Sequence, residues 1–254
     1  GKDPDAVVCT NAGGGNLTGT ARGLIKAGAL DTKIIGACID LKGLHMASDK
    51  DFNRKSCTTG HTGFAMPFIT WPDRSDTPRN AARVLRYMDE LVTVKQGELF
   101  YITQAFAILE GYERGPAGNT SLTAAFALAQ QMDENQILVV QETEYTSAGK
   151  HPMPQLTFAK KNGVEVLFGD PDDEIPGKNL IFPENPSLIK ARSYDMTKAR
   201  KSYIKNCVKN YSMTSATEED IKFIMDEIKS DREFVVSELA ERGVRTKTHS
   251  HGIL

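Results

Sequence analysis

The stretch "CTNAGGGNLTG", Cys9 to Gly19, decides how this chain reads. It follows the apolar run Ala6-Val7-Val8 and leads into Thr18–Lys26, a helical segment closed by Gly28. Glycine in regular structure costs conformational entropy, so three in succession need a reason. Either the backbone takes φ > 0, or something approaches it closely. A strand, a glycine turn and a helix amino terminus together make an anion site, because N–H groups point outward and the helix dipole favours negative charge. Gly13, Gly14 and Gly15 form the candidate cradle, and Asn16 and Thr18 add side-chain donors. The plain alternative is a tight strand-to-helix turn that binds nothing. The turn is not a P-loop, since no Gly-Lys-Ser/Thr closes it. Nor is it a clean GxGxxG: after Gly13 and Gly15, Leu17-Thr18 miss the third glycine. A dinucleotide site would also need an acidic residue about 20 positions on. Asp31 precedes the second apolar strand and Asp40 ends it late, so both are poorly placed.

Working outward, the first half alternates short apolar runs with helical segments. Ala6–Cys9, Lys33–Asp40 ("KIIGACID"), Leu91–Val94 and Ile137–Val140 read as buried strands. Thr77–Asp89, Gly97–Gly111 and Ser121–Met132 read as helices, with Leu99, Ile102, Phe106 and Leu109 roughly on one face of the second. Such alternation implies a three-layer α/β fold with a mostly parallel twisted sheet. Lys42–Asp76 has no clear period and reads as a long loop. After Pro154 the character changes. "FGDPDDEIPGKNLIFPENPS" reads as a proline- and charge-rich linker, Asp195–Tyr211 as a basic helix, and Ser215–Gly243 as one long amphipathic helix with a Thr217/Asp220 capping box. Two regions are therefore expected, residues 1–154 and a linker with a helical C-terminal extension over 155–254.

Composition bounds the partners. The 254 residues hold 40% hydrophobic and 25% charged side chains, with a net charge of −2. That balance suggests neither a nucleic-acid nor a membrane partner. No apolar run approaches the roughly 20 residues that span a bilayer. The four cysteines, Cys9, Cys38, Cys57 and Cys207, form no CxxC, so disulfides and structural zinc are not expected and a reducing cytoplasm fits. Gly1-Lys2-Asp3-Pro4 carries no initiator Met, which reads as the interior of a longer protein or a processed product.

"DAVVCTNAGGGNLTGTARGLIKAG" resembles the phosphate-binding segment of fold type II pyridoxal-phosphate enzymes, the group that includes threonine synthase and cysteine synthase. "KIIGACID", the stretch Val92–Gln130 with Gly115-Pro116-Ala117-Gly118, and "ILVVQETEYTSAGKH" follow in the family's order, so the likeness covers residues 4–151. The resemblance implies that Gly13, Gly14, Gly15, Asn16, Leu17 and Thr18 hold the phosphate of pyridoxal 5'-phosphate. It also implies that the turn after the last strand serves the pyridine nitrogen. The family usually has Ser or Thr there. This chain offers Glu142 and Thr143. A Glu would keep the nitrogen protonated and a Thr would leave it neutral, and the sequence leaves both open. The family's Schiff-base lysine lies upstream of the phosphate loop, in a segment this chain does not contain, which implies a chain inactive by itself. The tail and the long Lys42–Asp76 insertion are similar to those of the coenzyme A-dependent thiolases of ornithine degradation. That likeness implies coenzyme A as co-substrate, a small amino-acid substrate, a small α subunit and a homo- or hetero-oligomer. Two other functions stay open: a threonine synthase-like lyase, and a non-catalytic phosphate-ligand module.

Three further candidates are weaker. Cys57 and His61, in "SCTTGHTG", could pair as an activated thiol, but coenzyme A brings its own thiol and a loop cysteine is the simpler account. "THSHG", with His249 and His251, lacks a third metal ligand, and a flexible tail is the simpler account. "KARKSYIKNCVKN" could meet phosphates or an acidic partner, but a solvated helix face accounts for it.

Overall fold

The computed structural model describes residues 1–40, 83–112, 115–142 and 152–246. β1 (Ala6–Thr10), β2 (Lys33–Ile39), β3 (Glu90–Val94) and β4 (Leu138–Gln141) run parallel in a five-stranded sheet, and the two-residue β7 (Arg192–Ser193) adds an antiparallel edge. The strand order is β4-β1-β2-β3-β7. The register sets Val7 beside Ile34 and Val139, and Ile39 beside Val94.

Alternation along each strand sends neighbouring side chains to opposite faces. Val7, Cys9, Ile34, Cys38 and Leu91 belong to one core cluster. Ala6, Val8, Ile35, Ala37, Ile39, Val92 and Val94 belong to another. The first face is covered by α1 (Gly15–Ala27), a short 3₁₀ turn at Arg83–Arg86, and α5 (Thr197–Asn210), α6 (Glu218–Ile228) and α7 (Arg232–Glu241). The second is covered by α2 (Gln96–Leu109) and α3 (Thr120–Ala129). Helix, sheet and helix make the three layers expected of this sequence. Gly36 tightens the first face: a Cβ there would come within 2.4 Å of Met88 Sδ and 3.3 Å of Leu17 Cδ1.

Several elements differ from the expectations. Ile137–Val140 is not a buried strand. Among the described strands β4 is the sheet's edge, and Ile137 and Val139 are 39% and 43% exposed. The buried face of α2 ends before Leu109, which is 77% exposed. The proline-rich stretch is more than a linker. It holds the end of β5 (Glu165–Gly169) and all of β6 (Asn179–Pro183), paired in parallel. These pack with α4 (Pro152–Lys161) on Phe100 of α2, and the Phe100 and Phe182 rings stack with centroids 6.0 Å apart. The long C-terminal helix is two helices. Lys229 turns left-handed at φ 48, and Asp231 starts α7 by accepting the Phe234 N–H at 2.7 Å. Ser230-Asp231, a cap signal inside an apolar pattern, marks that break in the sequence. The Thr217/Asp220 capping box forms. β8 (Ser215–Ala216) pairs with β9 (Arg245–Thr246) just past Gly243, whose φ is +75. Within Thr77–Asp89, the described part is the 3₁₀ turn and not a longer helix.

Candidate functional site

The glycine turn stands at the carboxyl ends of the parallel strands, where open α/β sheets bind ligands. Gly14 caps α1 with φ 79, a conformation that demands glycine. Gly13 and Gly15 are different. Among the described residues, and apart from its own chain neighbours and helix backbone, a Cβ on either would meet nothing within 4 Å. Packing among the described residues does not require glycine at these two places, so the bare backbone leaves room for a group from outside.

The first N–H groups of a helix have no intrahelical acceptor. The first intrahelical donor here is Thr18, whose N–H reaches Gly14 O at 3.0 Å. That leaves the N–H groups of Gly14, Gly15, Asn16 and Leu17 at the turn. The first turn carries no acidic residue, and no side chain caps the helix. A bare, positive helix end of this kind fits a phosphate dianion. The six cradle residues divide by role. Gly13, Gly15 and Asn16 are exposed, Thr18 is half-buried, and the Leu17 side chain points into the core, so Leu17 can offer only its backbone.

The amino end of α3 meets the same edge. Thr10 Oγ1 accepts the Ser121 N–H at 3.2 Å, and Ser121 Oγ donates to Gln141 O at 3.0 Å. Helix α3 therefore ties the ends of β1 and β4 together. Gly115-Pro116 and Gly118-Asn119 are buried beside it. Gln141 pairs with Cys9, so half-buried Glu142 lies abreast of Thr10, on the strand next to the one that carries the cradle. Thr143 lies outside the described residues, as do Cys57, His61, His249 and His251. Among the described residues no group of side chains could hold a metal ion. Burial pushes the Cys9 thiol up to about 11, so it stays neutral.

Sequence reasoning missed several polar groups at this edge. Asn119 Nδ2 donates to Thr103 Oγ1 at 3.1 Å, while Asn119 Oδ1 is buried without a partner. Lys95 and Asp40, one residue past β3 and β2, pair at 3.0 Å with the lysine almost wholly buried. Asn11, one residue past β1, is fully buried with both carboxamide atoms unpaired. For Asn11, Asp40 and Lys95 a common signal was available: each directly follows an apolar parallel strand. A buried unpaired amide costs free energy, and unpaired atoms beside the cradle are what a site built for a polar ligand presents.

The comparisons agree with this geometry. Residues 1–142 match the family model described as pyridoxal-phosphate dependent enzyme, and the chain belongs to that family. Over 241 residues it is 63% identical to the 2-amino-4-ketopentanoate thiolase beta subunit of Acetoanaerobium sticklandii, covering 95% of this chain and 51% of that protein. Over 244 residues it is 59% identical to a protein of the same name from an unknown prokaryotic organism, covering 96% and 52%. The chain thus spans about half the length of the curated relatives it matches. No helix among the described residues is long and apolar enough to cross a membrane.

Proposed function

We propose that this chain is the phosphate-holding part of a cytoplasmic, pyridoxal-phosphate-dependent thiolase. The whole enzyme would use coenzyme A to cleave 2-amino-4-ketopentanoate to alanine and acetyl-CoA in ornithine degradation, together with a smaller α subunit. The observation that carries the cofactor reading is the α1 terminus with no side-chain cap, and two glycines that packing among the described residues does not require. The choice of thiolase is supported by the 63% identity over 95% of the chain.

Bound pyridoxal phosphate supplies an electron sink for negative charge on the substrate carbon next to the amine. The residues of this chain do the rest by position. The N–H groups of Gly14 to Leu17 hold the phosphate, with the Asn16 amide and Thr18 hydroxyl as further donors. Glu142 stands on the neighbouring strand end, where a carboxylate would hold a proton on the pyridine nitrogen, with Thr143 as the neutral alternative. Helix α3, fixed by Ser121 to both strand ends, keeps that edge rigid. Coenzyme A brings its own thiol as the attacking group, and Cys9, buried and neutral, takes no part. The lysine that anchors the cofactor belongs to a part of the enzyme outside this chain, which by itself binds without turnover. The test uses the whole enzyme with its partner subunit, and this chain alone as control. The cofactor's absorbance on the whole enzyme and coenzyme A-dependent release of alanine and acetyl-CoA support the reading. Loss of both refutes it.

A further inference from the structure

Asn11 divides between a backbone the fold uses and a side chain with no hydrogen-bond partner. Its backbone continues the β1 ladder, with N–H donating to Ala37 O at 2.8 Å, and its carbonyl accepts from Cys38 Sγ at 3.0 Å. Its side chain does neither of these things. It is fully buried, and neither Oδ1 nor Nδ2 has a partner. Two neighbouring polar side chains are paired, Lys95 with Asp40 and Thr10 with the Ser121 N–H, while Gln141 Oε1 at the end of β4 is buried without a partner, as the Asn11 amide is. Alternation fixes the side on which Asn11 lies. Thr10 faces α3, so Asn11 faces α1, the side from which the glycine turn rises. Asn11 and Gly14, the αL cap of α1, are separated only by Ala12 and Gly13. The amide does not cap α1, since both its atoms are unpaired. It is neutral, so it adds a donor at the anion site without a second charge.

We propose that Asn11 is a ligand-contacting residue of this site, its Nδ2 donating to an oxygen of the bound phosphate monoester. The inference rests on the cofactor reading above and extends the cradle beyond the glycine turn to the end of β1. A hydrogen bond to a charged oxygen, made by a group that is otherwise buried and unpaired, is worth about ten- to a hundredfold in affinity.

The experiment compares the full chain with Asn11→Leu, close to isosteric, and Asn11→Ala. Binding of inorganic phosphate, pyridoxal 5'-phosphate and unphosphorylated pyridoxal is measured by calorimetry, and the stability of the unliganded protein by urea denaturation. The expected result is that both variants bind inorganic phosphate and pyridoxal phosphate at least tenfold more weakly, with pyridoxal unchanged. Asn11→Leu should also leave the unliganded protein as stable or more stable, since it removes a buried unpaired amide. Variants that bind phosphate like the parent overturn the proposal. So does a loss confined to pyridoxal phosphate and pyridoxal, which would put Asn11 at the ring. If Asn11→Leu is less stable without ligand, and its affinity is unchanged, the amide is structural and the proposal is overturned. If the parent chain binds none of the three, the cofactor reading fails first and takes this inference with it.

Discussion

Replacing Gly97 by alanine sets helix propensity against packing. Gly97 sits in the first turn of α2, where alanine is the better helix former by up to about 1 kcal/mol. Propensity alone therefore predicts a more stable protein. The structure predicts the reverse. A Cβ at Gly97 would lie 1.7 Å from Ile181 O, 2.3 Å from its carbonyl carbon and 3.1 Å from its nitrogen. These are backbone atoms of β6, so no side-chain rotation relieves the overlap. The strand would have to retreat by roughly 1.5 Å to reach ordinary contact. Retreat also strains the cap of α2. Glu174 is buried there and accepts the N–H groups of Gln96 at 3.0 Å, Gly97 at 2.9 Å and Ile181 at 3.2 Å. Overpacking costs about 1–3 kcal/mol, and each of the three buried hydrogen bonds is worth about 1 kcal/mol. Less the helix gain, Gly97→Ala should destabilise by about 3 kcal/mol, which lowers Tm by about 6–12 °C at this size. Urea denaturation of the chain measures it, with Gly23→Ala in α1 as control. Gly23 has nothing within 4 Å of its added Cβ, so that variant should be more stable by about 0.5–1 kcal/mol. If Gly97→Ala matches or exceeds the parent in stability, the close approach of α2 and β6 is wrong.

Three other outcomes follow from the same contacts. Burial raises the Glu174 carboxyl from its ordinary 4.5 to about 7 against the pull of its three N–H donors. Between those values the folded chain keeps a proton that the unfolded chain releases. Stability should therefore fall by about 3 kcal/mol as pH rises through that window and level off above it, and Glu174→Gln should flatten the slope in urea denaturation at stepped pH. Arg192 holds the fully buried Glu98 with two hydrogen bonds, at 2.9 and 3.0 Å, and donates from Nε to Asp172 at 2.7 Å. Arg192→Met leaves Glu98 without its counter-charge and should cost about 3–5 kcal/mol by the same assay, with Arg192→Lys recovering part of it. Gly14→Ala places a side chain at φ 79, which should cost about 1–2 kcal/mol and weaken phosphate binding by calorimetry.

The local parts of the site were legible because their causes are local. An apolar run, a glycine cluster and a helix signal identified the glycine turn between β1 and α1, and the capping box at Thr217 was readable from residues three apart. The β5–β6 pair was not legible, because prolines and charges surround it and its strands gain their stability from Phe100 and α4, distant in sequence. The break at Lys229 was overlooked because the apolar pattern continues across it. Asn11 reads as one more turn residue until its burial and its lack of partners are seen together.

The amino-acid order by itself determined the alternation of strands and helices, the parallel class of the sheet and the glycine turn between β1 and α1. Each follows from periodicity or from glycine's freedom of φ, which are properties of neighbouring residues. Only the tertiary structure decided that β4 is an exposed edge among the described strands, that Gly97 is glycine because β6 passes against it, and that Glu142 stands beside Thr10 at the end of the cradle strand. Register, burial and close approach arise between segments far apart in the chain, and no local pattern encodes them.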